Sequence, residues 1–193
     1  YELPGKHAGI SSLADVGSLA STLSSQARAK KGLVGIHHSE NEREDIEPLI
    51  ELNPDFVVHM CHATDEDLLV LKEANISVVV CPRSNDYFGN RPPLEKMIDL
   101  GLDIGLGTDN GMICSVNILD EIRFIKENFP SIGLHKILEI ACFGLSDMFN
   151  KDGTSRYFNP KLSGWALLSR EAIDNYESIF NPETKVLGAR WRN

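Results

Sequence analysis

DFVVHMCHATDEDLLVLKEANISVVVC, residues 55–81, decides the fold class. Its two ends, 55–60 and 76–81, are short apolar runs rich in valine. Between them, Thr64 can cap a helix over 65–74 whose first turn is acidic, where the helix dipole favours negative charge. An apolar, β-branched run such as 76–81 is typical of a parallel strand that is covered on both faces. The stretch therefore predicts an α/β fold.

The same alternation of apolar runs and amphipathic stretches continues on both sides. It predicts two more strands, at 32–37 and 102–108, and so four strand–helix units. The predicted helices lie at 11–31, from Pro48 to the residue before Asn53, and at 65–74, 94–101, 117–129 and 135–143.

Two segments depart from this alternation. Residues 81–93 are rich in turn formers and are predicted as a loop. Residues 151–164 resemble a linker, and the strands WALLS (165–169) and TKVLGARW (184–191) that follow are predicted to belong to a different, antiparallel unit.

Composition excludes several classes of partner. The 193 residues are 42% hydrophobic, which is enough to bury a core, and 19 basic against 28 acidic residues give a net charge of −9. This acidic balance argues against nucleic acid and anionic membrane surfaces. No stretch approaches the roughly 20 apolar residues of a membrane span. The four cysteines form no CxxC pair and are expected to be reduced thiols in a cytoplasmic protein.

Each predicted strand ends in a group that could carry chemistry. In a parallel α/β fold the carboxyl ends of the strands meet at one edge of the sheet. These groups are His37, His38 and Glu40; His59 and His62; the segment PRSN (82–85); and Thr108, Asp109 and Asn110. Singly each has an ordinary structural explanation. Together, imidazoles and carboxylates at successive strand ends predict a site for one divalent metal ion, with Zn²⁺, Fe²⁺ and Mn²⁺ as the candidates.

Four motifs, in this order and spacing, resemble the second half of the barrel in the amidohydrolase superfamily. They are HHSE (37–40), VVHMCHATDEDL (57–68), VVVCPRSN (78–85) and GLGTDN (105–110). The most similar branch contains cytosine, guanine and adenosyl-type deaminases and chlorohydrolases. The resemblance implies that residues 1–150 form strands five to eight of a TIM (β/α)8 barrel. Residues 151–193 would then form a linker and part of a small β-sandwich.

The resemblance also implies a role for each candidate residue. His37, His59 and Asp109 would bind the metal, which is expected to be Zn²⁺. Glu40, three residues after His37, would move protons, and His59 and Asp109 would act on the attacking water. The resemblance further implies that two residues shape the substrate pocket, Ser84 and Asn85, whereas His38 and His62 match no ligand position.

One part of the family pattern is missing. The family also binds its metal through an HxH pair on the first strand, and no HxH occurs in this chain. A complete barrel needs about 250 residues, and strands one to four are expected to be absent. We therefore expect the chain to be the carboxyl-terminal half of a longer enzyme. Its expected partners are a small-molecule substrate and either the missing amino-terminal half or further copies of itself.

Three functions are compatible with the sequence. The first is a metal-dependent hydrolase of C–N bonds that deaminates a heterocyclic amine. The second is a non-catalytic half-barrel that serves binding or assembly, although the presence of Glu40 and Asp109, which packing does not require, weighs against it. The third is a nucleotide-binding doubly wound fold, which the glycines of GLGTDNG (105–111) disfavour because they do not form GxGxxG.

Overall fold

A five-stranded parallel sheet forms the centre of the molecule in a computed structural model that describes residues 5–145, 165–169 and 176–190. The strands follow one another in chain order, each parallel to the last. Their bounds are β1 Ala8–Ile10, β2 Val34–His38, β3 Phe56–His59, β4 Ser77–Val80 and β5 Ile104–Leu106. The predicted α/β fold with a parallel sheet is confirmed.

Helices connect consecutive strands of the sheet, as parallel pairing requires, and two more helices follow β5. They are α1 Leu13–Val16, α2 Leu19–Ala29, α3 Ile46–Leu52, α4 Asp65–Glu73, α5 Pro82–Tyr87, α6 Leu94–Asp99, α7 Ile118–Asn128 and α8 Leu134–Phe143. Thr64 caps α4 as predicted, in a reciprocal pair of hydrogen bonds with Asp67. None of the helices within the described ranges is both long and apolar enough to cross a membrane.

The predicted number of parallel strands was one too low. Strand β1 pairs with β2 along its whole length, from Ala8 opposite Val34 to Ile10 opposite Ile36. Three residues, one of them glycine, do not form a recognisable apolar run, so their sequence does not predict a strand. The three residues form a strand because they pair with β2, and the Ala8 N–H also donates to the Leu33 carbonyl at 2.8 Å.

Three helix predictions also need correction. The single helix predicted over 11–31 is two helices, because the backbone turns at Gly17 with a φ of 54°. The helix predicted to begin at Pro48 begins at Ile46, with Asp45 as its cap. The first turn of a helix tolerates a proline such as Pro48, because the N–H groups of that turn have no partner within the helix. The predicted loop over 81–93 contains the short helix α5, in which the Asn85 N–H donates to the Cys81 carbonyl at 3.0 Å.

The two faces of the sheet differ in character. The face that packs against the helices carries valine and isoleucine side chains with no exposed surface, namely Val34, Ile36, Val57, Val78 and Val80. Burial of one such side chain stabilises a fold by about 1.5–3 kcal/mol. The opposite face is less buried and carries His37 together with Gly35. A Cβ at Gly35 would lie 2.3 Å from the ring of Phe56 on the neighbouring strand, so glycine makes room for that ring.

A second, two-stranded unit follows the parallel sheet in sequence. Strands β6 Trp165–Leu168 and β7 Val186–Arg190 are antiparallel, as predicted. A 3₁₀ segment, Tyr176–Phe180, lies between them in sequence. The predicted linker, 151–164, lies outside the described residues.

Candidate metal centre

The carboxyl ends of β2 to β5 bring the predicted site residues to one edge of the sheet. His59 is the last residue of β3 and lies opposite His38 in the register, so the ends of β2 and β3 are level. Ser84 and Asn85 lie in α5, which begins two residues after β4 ends. Asp109 follows β5 by three residues. Parallel pairing in chain order therefore places four separate segments side by side.

Three side chains at this edge, those of His37, Glu40 and His59, form a compact group of the kind that binds a metal ion. One ligand atom from each of His37, Glu40 and His59 lies within 4.8 Å of the other two. His59 Nε2 lies 3.1 Å from His37 Nδ1 and 3.6 Å from Glu40 Oε2. Ligands of a tetrahedral ion with bonds near 2.1 Å are about 3.4 Å apart. The three groups are thus spaced as ligands of one ion are.

The loop that carries Glu40 is held by hydrogen bonds at both ends. The Ser39 N–H donates to Glu44 Oε1 at 2.9 Å, and the Glu44 N–H donates to Ser39 Oγ at 3.1 Å. Arg43 donates from Nε and Nη2 to the two carboxylate oxygens of Asp67, at 2.9 and 2.8 Å. His38 faces this loop and not the metal group, since its Nε2 lies 3.2 Å from the Asp45 carbonyl.

Four residues near the strand ends have left-handed backbone. The φ values of Ser39, His59, Met60 and Asp109 are 50°, 78°, 54° and 54°. Such conformations cost on the order of 1–3 kcal/mol in non-glycine residues and cluster at functional sites. At His59 the backbone leaves the regular alternation of β3 where its side chain meets His37.

Burial sets the electrostatics of the group. His59 is 1% exposed, and burial lowers the pKa of its imidazole, an effect that the Glu40 carboxylate opposes and the His37 ring reinforces. Neutral imidazole is the form that binds a metal ion. The neighbouring thiol of Cys61 is kept protonated, since burial and Glu40 raise its pKa to about 12.

Ser84 and Asn85 contact other predicted site residues. Both are fully buried. Ser84 Oγ donates to Asp109 Oδ2 at 2.5 Å, and Asn85 Nδ2 donates to His59 Nδ1 at 3.0 Å. These bonds orient Asp109 and His59. The substrate-binding role expected for the two residues stays a prediction.

Asp109 lies near the group but outside it. In the part of the chain that the structure describes, the only set of three or more side chains at ligand distance is His37, Glu40 and His59. Asp109 is exposed, and its charge nevertheless raises the pKa of His59, so the two interact electrostatically. The predicted ligand set of His37, His59 and Asp109 thus shares two members with the group in the structure.

A model of the amidohydrolase family matches residues 16–152, a range that contains every candidate site residue. The chain belongs to the amidohydrolase family. The match confirms the resemblance inferred from the four sequence motifs.

Individual amidohydrolases are similar over part of their length. A 5-methylthioadenosine/S-adenosylhomocysteine deaminase of Caldanaerobacter subterraneus is 34% identical over 132 residues, 56% of this chain and 30% of that protein. An uncharacterised protein of Methanocaldococcus jannaschii is 36% identical over 133 residues, 63% of this chain and 35% of that protein. The chain therefore spans about a third of the length of these relatives.

Solved structures share the fold. The adenine deaminase of Arthrobacter aurescens superposes with a TM-score of 0.61 and 18% identity, over 79% of this chain and 50% of its own. An adenosine deaminase from Xanthomonas campestris with bound zinc gives a TM-score of 0.54 and 19% identity, over 65% of this chain and 34% of its own.

The side chains of His37, Glu40 and His59 are suitable ligands for a divalent cation. Two imidazoles and one carboxylate suit zinc and also iron or manganese. A second observation concerns Asn85, whose Oδ1 is buried without a hydrogen-bond partner while Nδ2 meets His59. With the amide turned by half a rotation, this free acceptor would face the outer nitrogen of His59, and such an acceptor is the usual support for a metal-binding ring. The residues present therefore fit such an ion.

Sequence reasoning singled out the segment PRSN (82–85) but missed Glu121, a residue that borders the site through Arg83. The Glu121 carboxylate is fully buried and accepts the N–H of Arg83 at 3.1 Å. A signal was available in the sequence, because Glu121 falls on the apolar face of α7 beside Ile118, Ile122 and Ile125. A charged residue within an apolar stripe indicates a buried partner.

Proposed function

We propose that this chain forms part of a metal-dependent hydrolase that acts on C–N bonds and deaminates a heterocyclic amine. The observation that carries the proposal is the convergence of His37, Glu40 and His59 at the ends of two neighbouring strands. Family membership supports it, as do relatives that deaminate 5-methylthioadenosine or S-adenosylhomocysteine.

His37 and His59 of this group would hold the ion together with Asp109, which lies beside the group and interacts electrostatically with His59. Glu40, the third member of the group, would stay free of the ion. Zn²⁺ is the expected metal, as in the structural neighbour with bound zinc. A bound divalent ion lowers the pKa of a coordinated water towards neutrality and so supplies hydroxide. Asp109 would accept a proton from that water, with Ser84 fixing its carboxylate through Oδ2. His59, held by Asn85, would orient the water.

Glu40 is suited to carry protons between water and substrate. Its side chain is 27% exposed, so it is open to a substrate while lying 3.6 Å from His59 Nε2. A positioned carboxyl group of this kind can donate to the leaving amine and then recover its proton.

The proposal includes an architecture. Strands β2 to β5 would be strands five to eight of a (β/α)8 barrel within residues 1–150, and β1 would be strand four. Strands β6 and β7 would belong to a small β-sandwich formed by residues 151–193. The partner that completes the barrel and the metal site would be an amino-terminal half or a further copy of the chain, since edge strands such as β1 and β5 require pairing or cover.

Measurement of zinc content and ammonia release tests the proposal. The protein, alone and together with an amino-terminal half of a relative, would be loaded with Zn²⁺ and offered adenine, 5-methylthioadenosine and S-adenosylhomocysteine. We expect zinc-dependent ammonia release that His37→Ala abolishes. The matched control is His62→Ala, which changes an exposed histidine that contacts Asn90 and lies outside the group. Zinc-independent turnover, or no turnover under any of these conditions, would contradict the proposal and favour a non-catalytic module.

A further inference from the structure

Helix α5 begins without a cap from its own sequence. Cys81 at the cap position makes no side-chain hydrogen bond, and Pro82 at the first position has no N–H. The first donor of the helix is therefore the N–H of Arg83, which would be left without a helical partner. Glu121 in α7 accepts it at 3.1 Å through Oε2. The first turn of α5 is thus anchored from another helix.

Packing of α7 does not explain an acidic residue at position 121. The buried face of α7 is otherwise apolar, with Leu119, Ile122 and Ile125. Burial raises the pKa of the Glu121 carboxyl group, and the Arg83 backbone and guanidinium act against that rise. A buried carboxylate is unfavourable unless it is paired. Here Oε1 lies 3.4 Å from Arg83 Nη1, so one residue supplies both partners.

The anchored turn carries the residues that orient the site. Ser84 and Asn85 follow Arg83 directly, and they donate to Asp109 Oδ2 and His59 Nδ1. The side chains of both residues are fully buried. A shift of the α5 backbone would therefore move both bonds together.

The Asn85 contact is linked to the position of the proton on His59. With Nδ2 donating to His59 Nδ1, the ring carries its proton on Nε2, which then donates to His37 Nδ1 at 3.1 Å. Rotation of the amide by half a turn would bring Oδ1, which has no partner, against Nδ1. That arrangement favours a proton on Nδ1 and leaves Nε2 open to a cation. In the arrangement that the structure shows, the Asn85 contact and the His37 contact both favour the proton on Nε2.

We propose that Glu121 is a positioning residue that anchors the first turn of α5, holds the Asn85 amide against His59 and so favours the tautomer of His59 that carries its proton on Nε2. The bonds that join Glu121 to Arg83 and Asn85 to His59 are made by residues of this chain alone. Only the expected effect on zinc affinity rests on the proposed function.

The first test is the tautomer of His59 in metal-free protein. Chains with ¹⁵N-labelled histidine would be compared by NMR, with the His59 signals assigned from a His59→Gln variant. We expect the tautomer with the proton on Nε2 to predominate in the unmodified protein and in Glu121→Gln, whose amide oxygen can still accept the Arg83 N–H. Glu121→Leu, which fills the space without accepting, and Asn85→Ala should both give mixed tautomers.

The second test is zinc affinity, measured by competition with a chelating dye. We expect Glu121→Leu and Asn85→Ala to weaken binding about 10–100-fold, while Glu121→Gln stays within a few-fold of the unmodified protein. If Glu121→Leu does not fold, Asn85→Ala and Glu121→Gln decide the matter. An unchanged His59 tautomer in Asn85→Ala, or mixed tautomers in folded Glu121→Gln, would overturn the proposal. Failure to deaminate any substrate would count against the proposed function alone, because the tautomer is measured without metal or substrate.

Discussion

Arg43 donates two hydrogen bonds to Asp67, at 2.9 and 2.8 Å, and so ties the loop that carries Glu40 to the first turn of α4. Asp67 is 2% exposed and also accepts the N–H of Thr64, the residue that caps α4. One carboxylate therefore joins the segments that follow β2 and β3, the two strands at whose ends the metal-binding group lies.

Removal of this carboxylate should destabilise the fold. We expect Asp67→Ala to lower the free energy of unfolding by about 1–2 kcal/mol, because α4 loses its capping partner and Arg43 loses its acceptor. Urea unfolding followed by circular dichroism measures the change. Asp65→Ala is the matched control, since Asp65 lies in the same turn, is 61% exposed and pairs only with the side chain of Lys96 among the described contacts. It should change stability by less than about 0.5 kcal/mol, and an equal loss in both variants would contradict the assignment.

The same residue should make stability depend on pH. Burial alone would raise the pKa of Asp67, but hydrogen bonds from Arg43 and Thr64 outweigh it and hold the pKa below its usual value. A carboxyl group with a lowered pKa in the folded state stabilises the fold above its unfolded pKa, near 3.9, and loses that contribution as the pH falls through the folded value. The difference in unfolding free energy between the unmodified protein and Asp67→Ala should therefore be constant from pH 7 to 5 and shrink below about pH 4. A difference that grows on acidification would show the opposite sign of the shift.

Replacement of Gly35 should disturb the face of the sheet that carries His37. A Cβ at this position would lie 2.3 Å from the Phe56 ring, so Gly35→Ala forces the ring or the strand to move. Overpacking of this kind costs about 1–3 kcal/mol, which thermal unfolding can measure. Gly9→Ala on β1 provides the comparison, because nothing lies within 4 Å of the added Cβ. A similar loss in both variants would indicate that the Phe56 contact is not responsible.

Glu40 should be needed for turnover and much less for zinc binding. Under the proposed function, Glu40→Gln keeps the size of the side chain and removes the proton carrier, so we expect kcat to fall about 10²–10⁴-fold. Steady-state deamination and zinc content would be measured on the same sample. Glu42→Gln changes an exposed carboxylate two residues further along the same loop and should leave kcat unchanged. Equal activity of the two variants would remove Glu40 from the mechanism.

Local sequence rules predicted the parts of the fold that are stabilised locally. The apolar runs of β2 to β5, the Thr64 cap and the antiparallel strands β6 and β7 all follow from periodicity and capping. Strand β1 does not, because its three residues are held by pairing with β2, a contact between segments distant in sequence. Helix α5 was missed for the same reason, since its first turn depends on Glu121, 38 residues beyond Arg83.

The candidate site shows a similar division. Strand ends and motifs identified His37, Glu40 and His59, which the structure brings together. The position of Asp109 outside that group depends on its left-handed backbone and its bond to Ser84, and no spacing rule gives either. The roles proposed for Asn85 and Glu121 depend on contacts between segments distant in sequence and on which polar atoms remain without a partner, and no local sequence pattern gives either.

The reciprocal hydrogen bonds between Ser39 and Glu44 bear on how a substrate would meet Glu40. They close a loop of a few residues on itself, so most of its conformational entropy is lost when the chain folds. Little further ordering of this segment would then be required when a ligand arrives, and the carboxylate is preorganised for proton transfer. Lengthening the loop between these two residues should therefore slow the reaction through a less favourable activation entropy, even where every side chain of the site is retained.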